Sequence, residues 1–313
     1  MSKLLTIGEA MGLFVADYKG KLSKVNNYTR YTAGAEMNVA IGTSRLGLET
    51  YYASAVGADP IGEYLIYTLK ENNINTDYVF TSKEYLTGMM FKEKVEEGDP
   101  FVVNYRKGSA ASKISINTLK DIDFSIFTHL HLTGIFLALS KDTLEATKYC
   151  LEKGRENNAL ITFDPNLRPK LWNSTEEMVK ETNKLAFKCD IVLPGISEGE
   201  ILTGFNKPEE ISDFYLNNGA KIVIVKLGEE GAFYKEKGEE GKYIKGFKVK
   251  EIVDTVGAGD GFAVGVISAL SEGKSIDEAV IRGNAIGAIQ LSSLSDNEAL
   301  PNRGELERFM KGE

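Results

Sequence analysis

The sequence predicts an α/β fold built on a parallel sheet with helices on both faces. Two features carry this expectation. Short apolar runs alternate with longer segments of helical periodicity. The apolar runs are rich in β-branched residues and nearly continuous, the pattern of strands buried on both sides. The chain of 313 residues is long enough to bury a large core, as one α/β unit, and no stretch reads as a linker between independent domains.

From the N-terminus, KLLTIGEA reads as a strand and AEMNVAIGTSRLG as a helix ending at Gly47. TYYASAVG is a strand. In PIGEYLIYTLKENN, Pro60 opens a helix whose Ile61, Leu65 and Leu69 share a face. THLHLTG, ALITFDPN, DIVLPG and AKIVIVKLG continue the strands, with DTLEATKYCLEKGRENN and TEEMVKETNKLAFKC as helices among them. GFAVGVISALSEG and SIDEAVIRGNAIGAIQLSS read as the last two helices. Two segments, at about residues 11–33 and 84–108, break the alternation with charge-rich strand-like pieces and a Gly98-Asp99-Pro100 turn. Meeting in space they form a small antiparallel sheet, serving as a lid over a cleft or as a surface hairpin for dimer contacts.

Composition narrows the function. The chain is 42% hydrophobic and 26% charged, with a formal charge of −8 that argues against general nucleic-acid binding. An acidic ligand therefore needs local positive potential from arginines, helix N-termini or a metal. No apolar run is long enough to cross a bilayer, and no secretory h-region opens the sequence. Two cysteines, Cys150 and Cys189, make no disulfide framework, so a reducing cytoplasm is expected. His129 and His131 lie two apart on one strand, without a nearby third metal ligand, and are expected to be structural.

DTVGAGDGFAVG, residues 254–265, stands where a strand gives way to a helix. Gly257, Ala258 and Gly259 would let backbone N–H groups converge on an anion at the helix tip. Asp260 in the first turn suits a general base for a hydroxyl attacking phosphorus, and it suits equally a simple helix cap. EGKS, residues 272–275, resembles the end of a phosphate-binding loop but lacks the upstream glycine and follows a helix.

These residues carry a resemblance. DTVGAGDGFAVG resembles the C-terminal signature of the ribokinase-like (PfkB-type) carbohydrate kinases. AGAEMNVAIGTSRLG with AVGADPIGEYL, residues 33–65, is similar to their N-terminal signature. The resemblance spans essentially the whole chain and implies a three-layer α/β/α fold with a mostly parallel central sheet and a small β-sheet lid. It implies ATP-dependent phosphorylation of a sugar hydroxyl, with Mg2+ and often a monovalent cation such as K+. By it, Asp260 is the catalytic base, and Gly257, Ala258 and Gly259 form the anion hole. VKLGEEGAFY places Lys226, Gly228 and Gly231 beside ATP, with Asn284 near the adenine and Ser197 in touch with the nucleotide. Many relatives carry Asn-x-x-Glu ahead of this region; here Gly195 replaces the Asn, and Glu198 fits the Glu that organises Mg2+ through water.

Substrate contacts are expected from Gly34, Ala35 and Asn38, from Tyr105 and Arg106 in NYRKGSAAS, and from Arg168 in FDPNLRPKLW. A guanidinium fork matches a carboxylate with two charge-assisted bonds, so the arginines point to a sugar acid. Together these motifs resemble the 2-keto-3-deoxygluconate kinases more than fructokinases or ribokinases. Asp254 and Asp296 fall where relatives place further ligand or cation contacts, and Met90 stands where some have a lid tyrosine. A homo-oligomer formed through the lid strands is also expected.

Overall fold

A computed structural model describes residues 2–95, 100–249, 252–293 and 295–312. Its strands are β1 (Lys3–Ile7), β2 (Met11–Ala16), β3 (Tyr28–Ala33), β4 (Glu49–Gly57), β5 (Val79–Ser82), β6 (Gly88–Lys92) and β7 (Val102–Tyr105). They continue as β8 (His129–Thr133), β9 (Leu160–Asp164), β10 (Ile191–Val192), β11 (Ile222–Lys226), β12 (Gly231–Glu236) and β13 (Lys242–Lys245). The helices are α1 (Ala35–Arg45), α2 (Pro60–Glu71), α3 (Ile116–Leu119), α4 (Gly134–Ala138), α5 (Lys141–Glu156) and α6 (Thr175–Ala186). After them come α7 (Ile196–Thr203), α8 (Pro208–Asn217), α9 (Ala258–Ser271), α10 (Ile276–Gln290) and α11 (Arg303–Lys311).

The large sheet runs β13-β12-β11-β10-β9-β8-β1-β4-β5. Its pairs are parallel from β11 to β5, while β12 and β13 add an antiparallel edge. Strand alternation sends neighbouring residues into two cores. Leu4 and Ile224 join α1, α2, α9, α10 and α11 on one face. Leu5, Val223 and Val225 join α4, α5, α6 and α8 on the other. This is the expected three-layer arrangement.

Helix α9 is buried along most of its length and packs on α10 through paired glycines. A Cβ on Gly265 would stand 2.5 Å from the backbone of Gly283. Gly265→Ala is therefore expected to lower stability by about 1–3 kcal/mol through overpacking, read as a fall in melting temperature.

The early insertions do meet, as a sheet ordered β3-β2-β6-β7, but the sheet is mixed and not antiparallel as expected: β2–β3 and β6–β7 are antiparallel, while β2 and β6, one from each insertion, pair in parallel. Register places Leu13, Val15, Met90 and Lys92 on one face and Phe14, Phe91 and Tyr105 on the other. Stacked Phe14 and Phe91, with Tyr28 and Tyr105 edge-on to Phe91, form an aromatic layer on that second face. Gly98 and Asp99 of the expected turn lie outside the described residues.

The sequence reading passed over β5, α3, α4, α7, α8, α11 and the edge strands β12 and β13. SIDEAVIRGNAIGAIQLSS is not the last helix: α11 follows it, capped by Asn302 with Glu305 returning the bond. PEEISDFYLN forms α8, opened by Pro208, and the strand pair β12–β13 closes one edge of the sheet. EGKS joins two helices, with Gly273 left-handed after α9 and Ser275 capping α10. Among the described residues, no helix is long and apolar enough to cross a membrane.

Candidate active site

The carboxyl ends of the parallel strands set the site. Glu9 follows β1, Asp164 ends β9, Gly195 follows β10 and Lys226 ends β11. The N-terminal tips of α1 and α9 point into the same region, because Asn38 and Asp260 are hydrogen-bonded to each other.

Asp260 sits buried in the first turn of α9. Its Oδ2 accepts from Asn38 Nδ2 at 2.8 Å, and its Oδ1 accepts from Asn166 Nδ2 at 3.3 Å. Asn38 is held in turn, its Oδ1 accepting from Asn297 Nδ2 at 2.9 Å. Burial raises the Asp260 carboxyl to about 6; the Asn38 bond opposes this, Asp164 adds to it, and the Arg168 and Lys226 charges oppose it. A buried carboxylate with both oxygens held in place is able to serve as a general base.

The glycine loop has its own cause. Gly257 adopts φ +84°, and a Cβ there would meet the Asp296 carbonyl at 2.7 Å, so a side chain is excluded twice over. At Gly259 the nearest heavy atom to such a Cβ is Lys226 Nζ, at 3.6 Å. An open helix tip beside an ammonium fits the phosphates of a nucleotide. Lys226 is fixed by Asp164, Nζ to Oδ2 at 2.6 Å, and its ammonium is favoured by that carboxylate in spite of burial.

The other residues expected at the nucleotide lie along one strip. Gly228 and Gly231 flank the turn between β11 and β12. Asn284 on α10 donates to the carbonyls of Ile244 and Lys245 at 3.2 and 3.3 Å, pinning the end of β13 beside that turn. Ser197 is exposed near the start of α7, and Gly195 just ahead of it bridges to Lys226. Glu198 is held in place: its two oxygens accept the N–H groups of Leu167 at 2.7 Å and Gly195 at 2.8 Å. Among the described residues, no group of three or more His, Cys, Asp or Glu side chains converges as a metal cage.

Among the residues expected at the substrate, Gly34 caps α1 at φ +128°, its Cβ position filled by the Glu9 carbonyl, with Ala35 and Asn38 on the first turns. Arg106 lies close by, but it is not free. Its Nε and NH2 both reach Glu9 Oε2, at 2.7 and 2.5 Å, and Ser109 also donates to that fully buried carboxylate. Arg168 is exposed, its NH1 turned back to the Leu167 carbonyl at 2.9 Å, and its charge is felt by both Asp260 and Asp296. Tyr105 is a correction. Strand alternation puts it on the aromatic face, opposite Lys92 and 61% exposed, while Asn104 takes the Lys92 side.

Asp254 and Asp296 are both buried next to the loop. Asp254 is paired with Lys92, which arrives from β6. Burial raises Asp296 to about 7, opposed by Lys92 and reinforced by Asp260 and Asp254. His129 and His131 are buried in β8 and pushed down to about 3 by that burial, which keeps them neutral. His131 Nδ1 meets Thr162 Oγ1 at 2.9 Å, an ordinary structural contact.

Sequence reasoning passed over Glu9, Lys92, Asp164, Asn166 and Asn297. Polar residues directly after apolar strands, as in LLTIGE and ITFDPN, were the available signal for three of them. Lys92 and Asn297 had none, since both act across long separations.

Fold and comparison together define a carbohydrate kinase with the ribokinase-like architecture. The family model described as pfkB family carbohydrate kinase matches residues 1–303, and the chain belongs to that family. It is 44% identical over 310 residues to the 2-dehydro-3-deoxygluconokinase of Bacillus subtilis, covering 99% of this chain and 95% of the relative. The crystal structure of a PfkB protein from Polaromonas sp. JS666 superposes with a TM-score of 0.90 at 43% identity, covering 98% of this chain and 99% of that one. A candidate Ribokinase II from E. coli, crystallised in complex with ATP and Mg2+, gives a TM-score of 0.90 at 28% identity with both chains fully covered.

Proposed function

We propose that this kinase transfers the γ-phosphoryl group of ATP to the 6-hydroxyl of 2-keto-3-deoxygluconate (2-dehydro-3-deoxygluconate), giving the 6-phosphate. The observation that carries the reading is the meeting of Asp260, the open glycine tip and two arginines at one strand edge. The likeness to the Bacillus subtilis enzyme supports the choice of sugar acid. ATP with Mg2+ supplies the electrophilic phosphorus and screens its charge. Asp260 takes the proton from the attacking hydroxyl through a carboxylate whose two oxygens Asn38 and Asn166 hold, one each. The N–H groups of residues 257–259 and Lys226 hold the developing phosphate charge. Arg168, with Arg106, takes the sugar carboxylate. In this reading the chain is a single kinase unit, and the four-stranded sheet is a lid that encloses the sugar.

An ADP-release assay with 2-keto-3-deoxygluconate, its galactonate epimer, fructose and ribose tests this. The expected result is a kcat/KM for a sugar acid roughly a hundredfold or more above either neutral sugar, as two charge-assisted hydrogen bonds of about 1.5–3 kcal/mol each require. Turnover of fructose equal to that of the acids would favour a second reading, a neutral-sugar kinase. One observation leans that way: Glu9 already neutralises Arg106.

A further inference from the structure

Lys92 is a buried ammonium that the reaction as described does not use. It ends β6, is 3% exposed, and shares a sheet face with Leu13, Val15 and Met90. Its Nζ donates to Asp254 Oδ2 in the loop ahead of α9. The other Asp254 oxygen accepts the Val256 N–H at 3.0 Å, so this carboxylate shapes the backbone immediately before Gly257. Backbone bonds from Val253 and Asp254 to the Leu291 carbonyl anchor the loop from behind, and Gln290 holds the Asp296 carbonyl against Gly257.

The charges explain why an ammonium belongs there. Asp254, Asp260 and Asp296 are all buried within electrostatic reach of one another. Crowded buried carboxylates repel, and a nucleotide arriving at the loop adds further negative charge. Lys92 is the cation set directly against Asp254, and its backbone belongs to the four-stranded sheet rather than to the kinase body. The loop geometry is thus tied to the seating of that sheet.

We propose that Lys92 is a positioning residue for phosphoryl transfer, its ammonium serving as a built-in counter-cation that shapes residues 254–257 when the four-stranded sheet is seated. The inference rests on the kinase reading above, but it does not depend on which sugar is phosphorylated. No added monovalent cation is needed at Asp254 in the wild-type protein.

The experiment compares wild type, Lys92→Met, Lys92→Arg and Lys92→Ala for ATP affinity by calorimetry, for kcat with whichever sugar is turned over, and for melting temperature. Lys92→Met is expected to weaken ATP binding and lower kcat by roughly ten- to a hundredfold, the loss of one charge-assisted bond, with the sugar KM little changed. Lys92→Arg should recover most of both. In Lys92→Ala, ammonium or potassium chloride should raise kcat, and without nucleotide the melting temperature, more than tetramethylammonium chloride at equal ionic strength. Lys92→Met within twofold of wild type in both ATP affinity and kcat would overturn the proposal. So would a loss rescued neither by arginine nor by small cations, since that marks a packing role only. If wild type binds ATP yet phosphorylates no sugar acid, the function reading fails, and ATP affinity and cation-dependent melting still decide the role of Lys92.

Discussion

Asp260→Asn is expected to lower kcat by about 10²–10⁴-fold, the usual worth of a positioned general base, while ATP and sugar bind within a few-fold of wild type. Asparagine keeps the size and can still accept from Asn38 or Asn166, so the local fold survives. What it removes is the lone pair that, in the proposed reaction, takes the hydroxyl proton. The pH profile offers an independent check. The Asp260 carboxyl is raised to about 6, so wild-type kcat/KM should fall about tenfold per pH unit below that value as the base becomes protonated. Asp296, raised to about 7, is a rival source of such a limb. In Asp260→Asn a limb from Asp260 disappears, whereas one from Asp296 persists. Near-normal turnover in the variant would remove Asp260 from the role of base.

The two arginines should separate cleanly. Arg168→Ala is expected to raise KM for a sugar acid roughly ten- to a hundredfold, from the loss of charge-assisted bonds worth about 1.5–3 kcal/mol each, with no change in melting temperature. Its side chain is exposed, so folding does not rely on it. Arg106→Ala should raise KM and also destabilise the protein by about 3–5 kcal/mol, because Glu9 would be left fully buried without its cation. Adding Glu9→Gln to Arg106→Ala should restore much of the melting temperature without restoring KM. Unchanged KM in both single variants would end the case for carboxylate recognition. An unchanged melting temperature in Arg106→Ala would show that the ion pair with Glu9 is not structural.

The strands that form the parallel sheet were legible because burial on both faces writes a continuous apolar run, as in IVIVK. The antiparallel edge was harder: β13, KYIK, is mostly exposed and leaves little apolar signal. Gly257 through Asp260 could be found because glycines beside an acid at the start of a helix are a local pattern, although the strand expected to lead into them is not there among the described residues: β13 ends at Lys245 and a loop precedes α9. Arg106 and Tyr105 show the limit. Tyr105 ends β7 and its register with β6 puts it on the aromatic face, while Arg106 lies just past the strand and turns to Glu9. That Arg106 is already matched by Glu9, 97 residues away, was invisible in one dimension.

The hydrogen-bonded relay from Asn297 through Asn38 to Asp260 joins the last part of the chain to one of its first helices. A polypeptide still being synthesised cannot aim this acid until residue 297 has left the ribosome. Until then Asn38 lacks the partner that holds its amide toward Asp260, even where the glycine tip has formed.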